Sequence, residues 1–303
     1  MIAGLRHDAF VYSADDEFVQ RSAPFLEEGV QGGSAVLAIL ARSKCVALRE
    51  ALGPIADRVE FIDRDGFYVR PAMAIANFDR CMHERMAAGA PDVRALAEIQ
   101  PGPTPAEWRT WTAYEGIVNR ALAEHPLWVI CGYDARDCPD EMLDAAWRAH
   151  PHVLTQDHRP GACYEEPEEL VASLLPEHVE LPGLRHLPPC ADPAGVREAL
   201  AAELAHAHVP GAAAILMLVA ANEVAANAWY HGGGPTEIRA GLVDHRFVLE
   251  VSDDGPGLDD PLAGYMPPRP ANGSGSGLWI ARQLMSRVDL LTAGPGLTVR
   301  LWL

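Results

Sequence analysis

The chain has 303 residues, of which 49% are hydrophobic, and this is enough apolar material for two ordinary domain cores. Its formal net charge of −18, from 42 acidic and 24 basic side chains, argues against nucleic-acid binding, which depends on Lys and Arg to neutralise phosphates. The six cysteines contain no Cys-x-x-Cys pair, and charges interrupt the longer apolar stretches, so we expect reduced thiols in a soluble, cytoplasmic protein without a membrane segment.

The first half of the chain, from residue 4 to about 170, alternates apolar strand-like runs with helical stretches. This pattern is typical of an α/β domain built around a mostly parallel sheet. The predicted strands cover residues 9–12, 35–40, 59–62, 93–98 and 127–132, and the predicted helices cover residues 14–31, 45–52, 72–86 and 105–125.

A ligand crevice is expected beyond the carboxyl ends of such strands, as in other open α/β sheets. Two sequence neighbourhoods supply its candidate residues. These are His7 and Tyr12, near the start and at the end of the first strand, and Cys131, Tyr133 and Asp134, in and just past the last strand. A structural role for His7 and a buried apolar role for Cys131 remain alternatives. The set His150, His152, His158 and Cys163 lacks the tightly paired spacing of zinc sites, so the sequence favours a non-metal interpretation there.

Three phrases in this half resemble the MEDS sensory domain, a RecA-like module attached to signalling outputs. They are Gly4-Leu-Arg-His7 with Tyr12, Gly29-Val-Gln-Gly-Gly33 with Val36-Leu37, and Cys131-Gly-Tyr-Asp134 with His150-Pro-His152-Val153. The resemblance implies a RecA-like fold that senses a small molecule. Where a RecA-like ATPase has its phosphate loop, this chain has Ser13-Ala-Asp-Asp-Glu17, whose acids would repel phosphate, so we expect no nucleotide in this half.

Residues 160–193 are acidic and rich in proline, which is typical of a semi-rigid connector. One short helix over residues 167–175 is the only regular element predicted there. The resulting organisation is a sensory domain over residues 1–165, a connector over 166–192 and a second domain over 193–303. A predicted helix over 194–206 opens the second domain.

Three motifs follow one another in that second domain. The apolar stretch 212–229 predicts a helix that places Glu223 and Asn227 one turn apart on one face. A strand over 247–252 leads into Asp253-Asp254-Gly255-Pro256-Gly257, where the glycines permit a tight turn. The loop Gly273-Ser-Gly-Ser-Gly277-Leu278 then opens a predicted helix over 278–288, whose free backbone N–H groups suit phosphate.

Taken singly, these motifs are typical of a solvated helix edge, a turn and a flexible linker. In this order they resemble the N, G1 and G2 boxes of the Bergerat-fold ATPases, the superfamily of histidine kinases and gyrase, and most closely the anti-sigma-factor serine kinases. The resemblance implies a two-layer α/β sandwich that binds ATP and Mg²⁺, with a mobile lid between Gly257 and Gly273.

The resemblance also implies individual roles. Asn227 would hold Mg²⁺, Glu223 would polarise the attacking hydroxyl or water, and Asp253 would accept the adenine amino group. The remaining residues expected around the nucleotide are Gly255, Gly257, Gly273, Gly275, Gly277, Leu278 and, in the last strand, Thr298. In the lid, Arg269 is the one basic residue.

The leading hypothesis is a cytosolic regulator whose sensor controls a serine/threonine protein kinase. Its partner would be an anti-anti-sigma (STAS) protein, or it would sequester a sigma factor, and either activity would regulate transcription. Two alternatives remain: a non-catalytic ATP-binding interaction module, and a histidine-kinase-like partner without its own phospho-accepting domain. The sequence leaves open the sensed ligand, the partner, the activity of the kinase and whether the chain forms a homodimer.

Overall fold

The computed structural model describes residues 2–98, 102–155, 157–176, 179–268, 276–292 and 296–303. The chain divides into two compact units, residues 1–171 and residues 172–303. The first has a mostly parallel sheet and the second an antiparallel one. The predicted mixed α/β fold class is therefore confirmed.

Within the described ranges, the first unit contains a seven-stranded sheet in the order β3-β2-β4-β5-β1-β6-β7. Its strands are β1 (Leu5–Tyr12), β2 (Ala35–Leu40), β3 (Glu60–Asp63), β4 (Val93–Glu98), β5 (Leu127–Asp134), β6 (His152–Leu154) and β7 (His158–Pro160). The pairs are parallel except for β6 with β7. Helices cover the sheet, and central strands such as β2 are accordingly apolar on both faces.

The helices of this part of the chain follow the strands in alternation. They are α1 (Asp15–Gly32), α2 (Arg42–Leu52), α3 (Arg64–Phe67), α4 (Pro71–Ala87), α5 (Pro105–Ala121), α6 (Asp140–Ala149) and α7 (Pro167–Leu174), with a short 3₁₀ helix at Gly53–Arg58. Helix α7 lies at the division between the units. It buries Leu170 and Val171, and Leu170 packs so closely on Gly116 that a Cβ there would lie 3.0 Å from the leucine Cδ2.

In its described residues, the second unit is a two-layer sandwich of a five-stranded sheet and helices, with the strand order β11-β12-β10-β9-β8. Its elements are β8 (Arg185–His186), α8 (Pro193–His206), α9 (Gly211–Gly232), β9 (Pro235–Val243), β10 (Arg246–Asp253), α10 (Ser276–Leu284), β11 (Arg287–Leu291) and β12 (Leu297–Trp302). Small residues of α9, including Ala220, Ala221 and Ala228, share one core with Leu249 and Val251 of β10. Because these alanines are small, the helix can pack closely on the sheet.

The structure corrects the sequence prediction in two places of this unit. The helix predicted over 278–288 ends at Leu284, because Arg287–Leu291 forms β11 and pairs with β12. The predicted connector contains a second regular element, β8, which pairs with β9 through Arg185 opposite Ala240. A short stretch between prolines thus becomes an edge strand of the second sheet.

Among the described residues, one helix, α9, is long and apolar enough to cross a membrane, with a mean hydropathy of 1.4. The expectation that charges interrupt the longer apolar stretches is wrong for this segment. Part of this helix is buried, since Met217, Val224 and Ala225 lie in the core of the second unit. The core helix of a folded domain passes the same length and composition test.

Candidate functional sites

The end of α9 meets the end of β10 in the second unit. Helix α9 ends at Gly232, and Gly233 follows in the left-handed conformation with φ of 77°. A Cβ on Gly232 would lie 2.5 Å from the Cβ of Asp253, so only glycine permits this approach. The helix that carries Glu223 and Asn227 therefore ends against the aspartate of the second motif.

The turn after β10 is held by its own aspartate. Asp253 Oδ1 accepts a hydrogen bond from the backbone N–H of Gly255 at 2.9 Å. A Cβ on Gly255 would lie 2.8 Å from Gly232 Cα, and Gly257 has a φ of 81°. The glycines of this motif are thus required by close packing and by backbone conformation.

The start of α10 lies beside Asn227. A Cβ on Gly277 would come within 2.9 Å of Asn227 Nδ2 and 3.3 Å of its Oδ1. Leu278 follows, partly buried against the core of this unit, and contacts Gly264, where a Cβ would lie 2.7 Å from the leucine. The N-terminal end of α10 and the side-chain amide of Asn227 are therefore neighbours. Backbone N–H groups of the helix suit phosphate and the amide oxygen suits Mg²⁺, so together they fit a phosphate-bound Mg²⁺.

Two further predicted residues lie close to this arrangement. Glu223 is half-buried one turn before Asn227 on α9, and its Oε1 is 3.4 Å from Asn222 Nδ2. Thr298 of β12 lies beside Ser252 of the neighbouring strand β10, with 2.8 Å between their hydroxyl oxygens. Ser252 immediately precedes Asp253. Gly273, Gly275 and Arg269 lie outside the described residues.

The first part of the predicted lid, residues 258–268, is attached to α10 by Arg282. This buried arginine donates from Nε to the carbonyl of Ala263 at 2.9 Å and from Nη1 to that of Val288 at 3.1 Å. Its guanidinium carbon lies 3.8 Å from the centroid of the Tyr265 ring. Burial lowers the pKa of Arg282 from its ordinary value. Arg282 was not among the predicted site residues, although a charged side chain four positions after Leu278 on an apolar helix face was a usable signal.

In the first unit, three of the five predicted crevice residues meet in the interior. His7, Cys131 and Tyr133 project from the same face of β1 and β5, because Ala9 pairs with Cys131 in parallel register. All three contact Glu115 of α5, with Tyr133 donating to its Oε1 at 2.8 Å.

Glu115 and His150 complete this buried group, and the sequence analysis did not place either of them there. His150 lies 3.7 Å from Glu115, and its ring centroid is 4.0 Å from that of His7. A glutamate among Thr112, Ala113 and Val118 on the buried face of a helix was the available signal.

The other two predicted residues, Tyr12 and Asp134, belong to the opposite face of the sheet. Tyr12 donates to Glu98 Oε1 at 2.5 Å, and Lys44 contacts both of these groups and lies 3.7 Å from Asp134 Oδ2. Burial, followed by the charge of Glu98, raises the pKa of Tyr12. Hydrogen bonds from Arg136 lower the pKa of Asp134. The five residues therefore divide between two clusters, and a single crevice lined by all five does not form.

Comparison with known families matches both units. Residues 6–151 match the family described as MEDS, the methanogen/methylotroph, DcmR sensory domain. Residues 190–303 match the histidine kinase-like ATPase domain. No match was found among the curated proteins. The two matches support a fusion of a MEDS-type sensory domain with a histidine kinase-like ATPase domain, and hence an ATP-binding signalling regulator.

Proposed function

We propose that the chain is a sensor-controlled protein kinase of the anti-sigma-factor type, which transfers phosphate from Mg-ATP to serine or threonine of an anti-anti-sigma (STAS) partner. The observation that supports it best is the convergence of three segments. Asn227 lies beside Gly277 in the first turn of α10, and Asp253 lies beside Gly232, where the helix that carries Asn227 ends.

Each group has a task in this proposal. Asn227 supplies an oxygen to Mg²⁺, which neutralises the phosphates together with the free N–H groups of α10. Asp253 accepts the adenine amino group, with Thr298 on the adjacent strand. Glu223, one turn from Asn227, takes the proton of the attacking hydroxyl. Phosphoryl transfer asks little more of a protein than such positioning and charge neutralisation.

Calorimetric titration with Mg-ATP tests the binding site. Asn227→Ala removes the contact to the metal, and Asp253→Asn removes a charge-assisted hydrogen bond to adenine. We expect each to lower the affinity for Mg-ATP about 10- to 100-fold, the equivalent of roughly 1.5–3 kcal/mol. Asp244→Asn is the matched control, because Asp244 is an exposed residue of the β9–β10 turn. Unchanged affinity in both site variants would contradict the assignment.

Phosphate transfer to a purified STAS protein tests the catalytic step. We expect Glu223→Gln to retain Mg-ATP but to transfer phosphate about 10²- to 10⁴-fold more slowly, the usual loss when a general base is removed. Glu198→Gln, at an exposed position of α8, should transfer at the wild-type rate. Tight STAS or sigma-factor binding without transfer by the wild type would favour the non-catalytic module, and phosphate recovered on histidine would favour the histidine-kinase-like partner.

A further inference from the structure

The buried group of the first unit brings together four side chains that commonly bind metals. His7 comes from β1, Cys131 from β5, Glu115 from α5, and His150 directly follows α6. Their exposed fractions are 1%, 5%, 3% and 0% in that order. One ligand atom from each residue lies within 4.8 Å of all the others.

Both imidazole rings are oriented by hydrogen bonds on the side away from the cluster. His7 Nδ1 is 2.9 Å from Asn119 Oδ1, and the amide nitrogen of Asn119 donates to the Ala149 carbonyl at 2.6 Å, which fixes the amide orientation. His150 Nδ1 is 2.8 Å from the Ala146 carbonyl. Since both partners are acceptors, each Nδ1 carries a proton, and in the neutral ring each Nε2 presents a lone pair to the cluster. This second-layer arrangement is characteristic of metal-binding histidines.

Four of the six distances between the ligand atoms match a tetrahedral shell, and the other two, from His150 Nε2 to His7 Nε2 and to Cys131 Sγ, lie within 4.8 Å. His7 Nε2 is 3.3 Å from both Cys131 Sγ and Glu115 Oε2. Glu115 Oε2 is in turn 3.7 Å from Cys131 Sγ and from His150 Nε2. Tetrahedral Zn²⁺ with bonds of about 2.0–2.3 Å separates its ligands by roughly 3.3–3.8 Å.

Hydrogen bonds among the described residues do not satisfy every polar atom of this buried group. Among the described residues, His150 Nε2 is fully buried and has no hydrogen-bond partner. An unpaired buried nitrogen costs free energy unless another group satisfies it.

A divalent cation also balances the charges of the group. The Glu115 carboxylate and a Cys131 thiolate together carry two negative charges, and two neutral imidazoles add none. With the cation the site is neutral, which a buried position in a low-dielectric interior favours. Because the metal ligand is the thiolate, the Cys131 proton leaves when the metal enters.

We propose that His7, Glu115, Cys131 and His150 bind a divalent transition-metal ion, Zn²⁺ by ligand type and spacing, inside the sensory unit. Four protein ligands fill a tetrahedral shell, which is the arrangement of a structural zinc site. The ion joins two strands of the sheet to the helices α5 and α6. The proposal is independent of the nucleotide site.

Cobalt substitution in the full-length chain tests the thiolate directly. The wild type should bind one Co²⁺ or Zn²⁺ per chain, and its Co²⁺ form should show the charge-transfer absorption of a thiolate ligand. We expect Cys131→Ser to lose this absorption and Cys163→Ser, which changes an exposed cysteine of the same unit, to retain it. Glu115→Gln keeps the side-chain shape and should weaken Zn²⁺ binding at least about 10-fold.

Asn119→Leu provides a second measurement that does not change a ligand. Loss of its hydrogen bond to His7 should lower Zn²⁺ affinity about 10- to 100-fold while circular dichroism confirms a folded chain. A wild type that binds only trace metal would overturn the proposal. Metal binding that is equal in the wild type, Cys131→Ser and Glu115→Gln would overturn it as well, and Mg-ATP titration of the same samples reports the nucleotide site separately.

Discussion

At the scale of single residues, the ion pair between Arg136 and Asp134 makes the stability of the first unit depend on pH. Arg136 donates to Asp134 from Nε at 2.8 Å and from Nη2 at 2.6 Å, and Asp134 is almost fully buried. These bonds lower the carboxyl pKa in the folded state. The associated stability is therefore present above the unfolded-state pKa of about 3.9 and is lost as the pH falls through the lower folded-state value.

We expect Arg136→Gln to make the first unit less stable at pH 7. This deficit should disappear as the pH falls through the lowered folded-state pKa of Asp134, because below it Asp134 is protonated in both proteins. The exposure of Arg136, with 48% of its side chain accessible, keeps the effect small. Urea unfolding at a series of pH values measures it, with Arg159→Gln at an exposed site as control. A deficit independent of pH would show that Arg136 acts through packing.

Residues next to a motif were predictable from the sequence, whereas residues brought in by packing were not. Asn227, Asp253 and Gly277 stand in motifs. The structure places Gly277 beside Asn227, and Asp253 beside Gly232 at the end of the helix that carries Asn227. Glu115 lies 108 positions after His7 in the chain and contacts it only because α5 packs on the sheet. No local sequence pattern encodes that contact. The predicted five-residue crevice is wrong for a different, local reason. Alternate residues of a strand face opposite sides, so Tyr12 and Asp134 lie on the other face of the sheet from His7, Cys131 and Tyr133.

At the scale of elements, long periodic segments were predicted well. The strands predicted over 35–40 and 93–98 have the observed bounds of β2 and β4. The segments β6, β7 and β8 have two or three residues and depend on pairing with distant strands, so they carry no periodic signal. Val288 extended an apolar helical pattern, but pairing with Leu301 makes it part of β11.

The attachment of the lid to α10 gives a prediction at this scale. Arg282→Met keeps an unbranched side chain but leaves the carbonyls of Ala263 and Val288 without this donor and removes the cation from the Tyr265 ring. We expect the second unit to lose about 1–3 kcal/mol of stability and to bind Mg-ATP more weakly, because segment 258–268 is less ordered.

Urea unfolding and calorimetry of the Arg282→Met variant measure both effects. Glu198→Gln is the control, since Glu198 is exposed on α8 and a surface change of this kind costs within about 0.5 kcal/mol. Lower stability with unchanged Mg-ATP affinity would show that this part of the lid does not contribute to nucleotide binding.

At the scale of the whole molecule, the two units have separate cores. One core joins β1, β2 and β5 to α1 and α2, with Phe10, Leu26 and Leu40 among its members. The other joins α8, α9 and α10 to the antiparallel sheet. Composition predicted two domains, and the sequence predicted a connector over residues 166–192. The structure divides the chain between residues 171 and 172, inside that predicted connector, because α7 buries Leu170 and Val171 before the division.

Separate cores predict separate unfolding transitions and separate ligand responses. A saturating ligand stabilises only the unit that binds it, by about 2.7 kcal/mol at 100 times its Kd. In calorimetric scans we expect Mg-ATP to raise one transition, and to lose that effect in Asn227→Ala, while Zn²⁺ removal by a chelator lowers the other. Asp244→Asn should behave as the wild type in both scans. A single transition that Mg-ATP and the chelator shift alike would contradict this division, because it would require both sites to stabilise one cooperative unit.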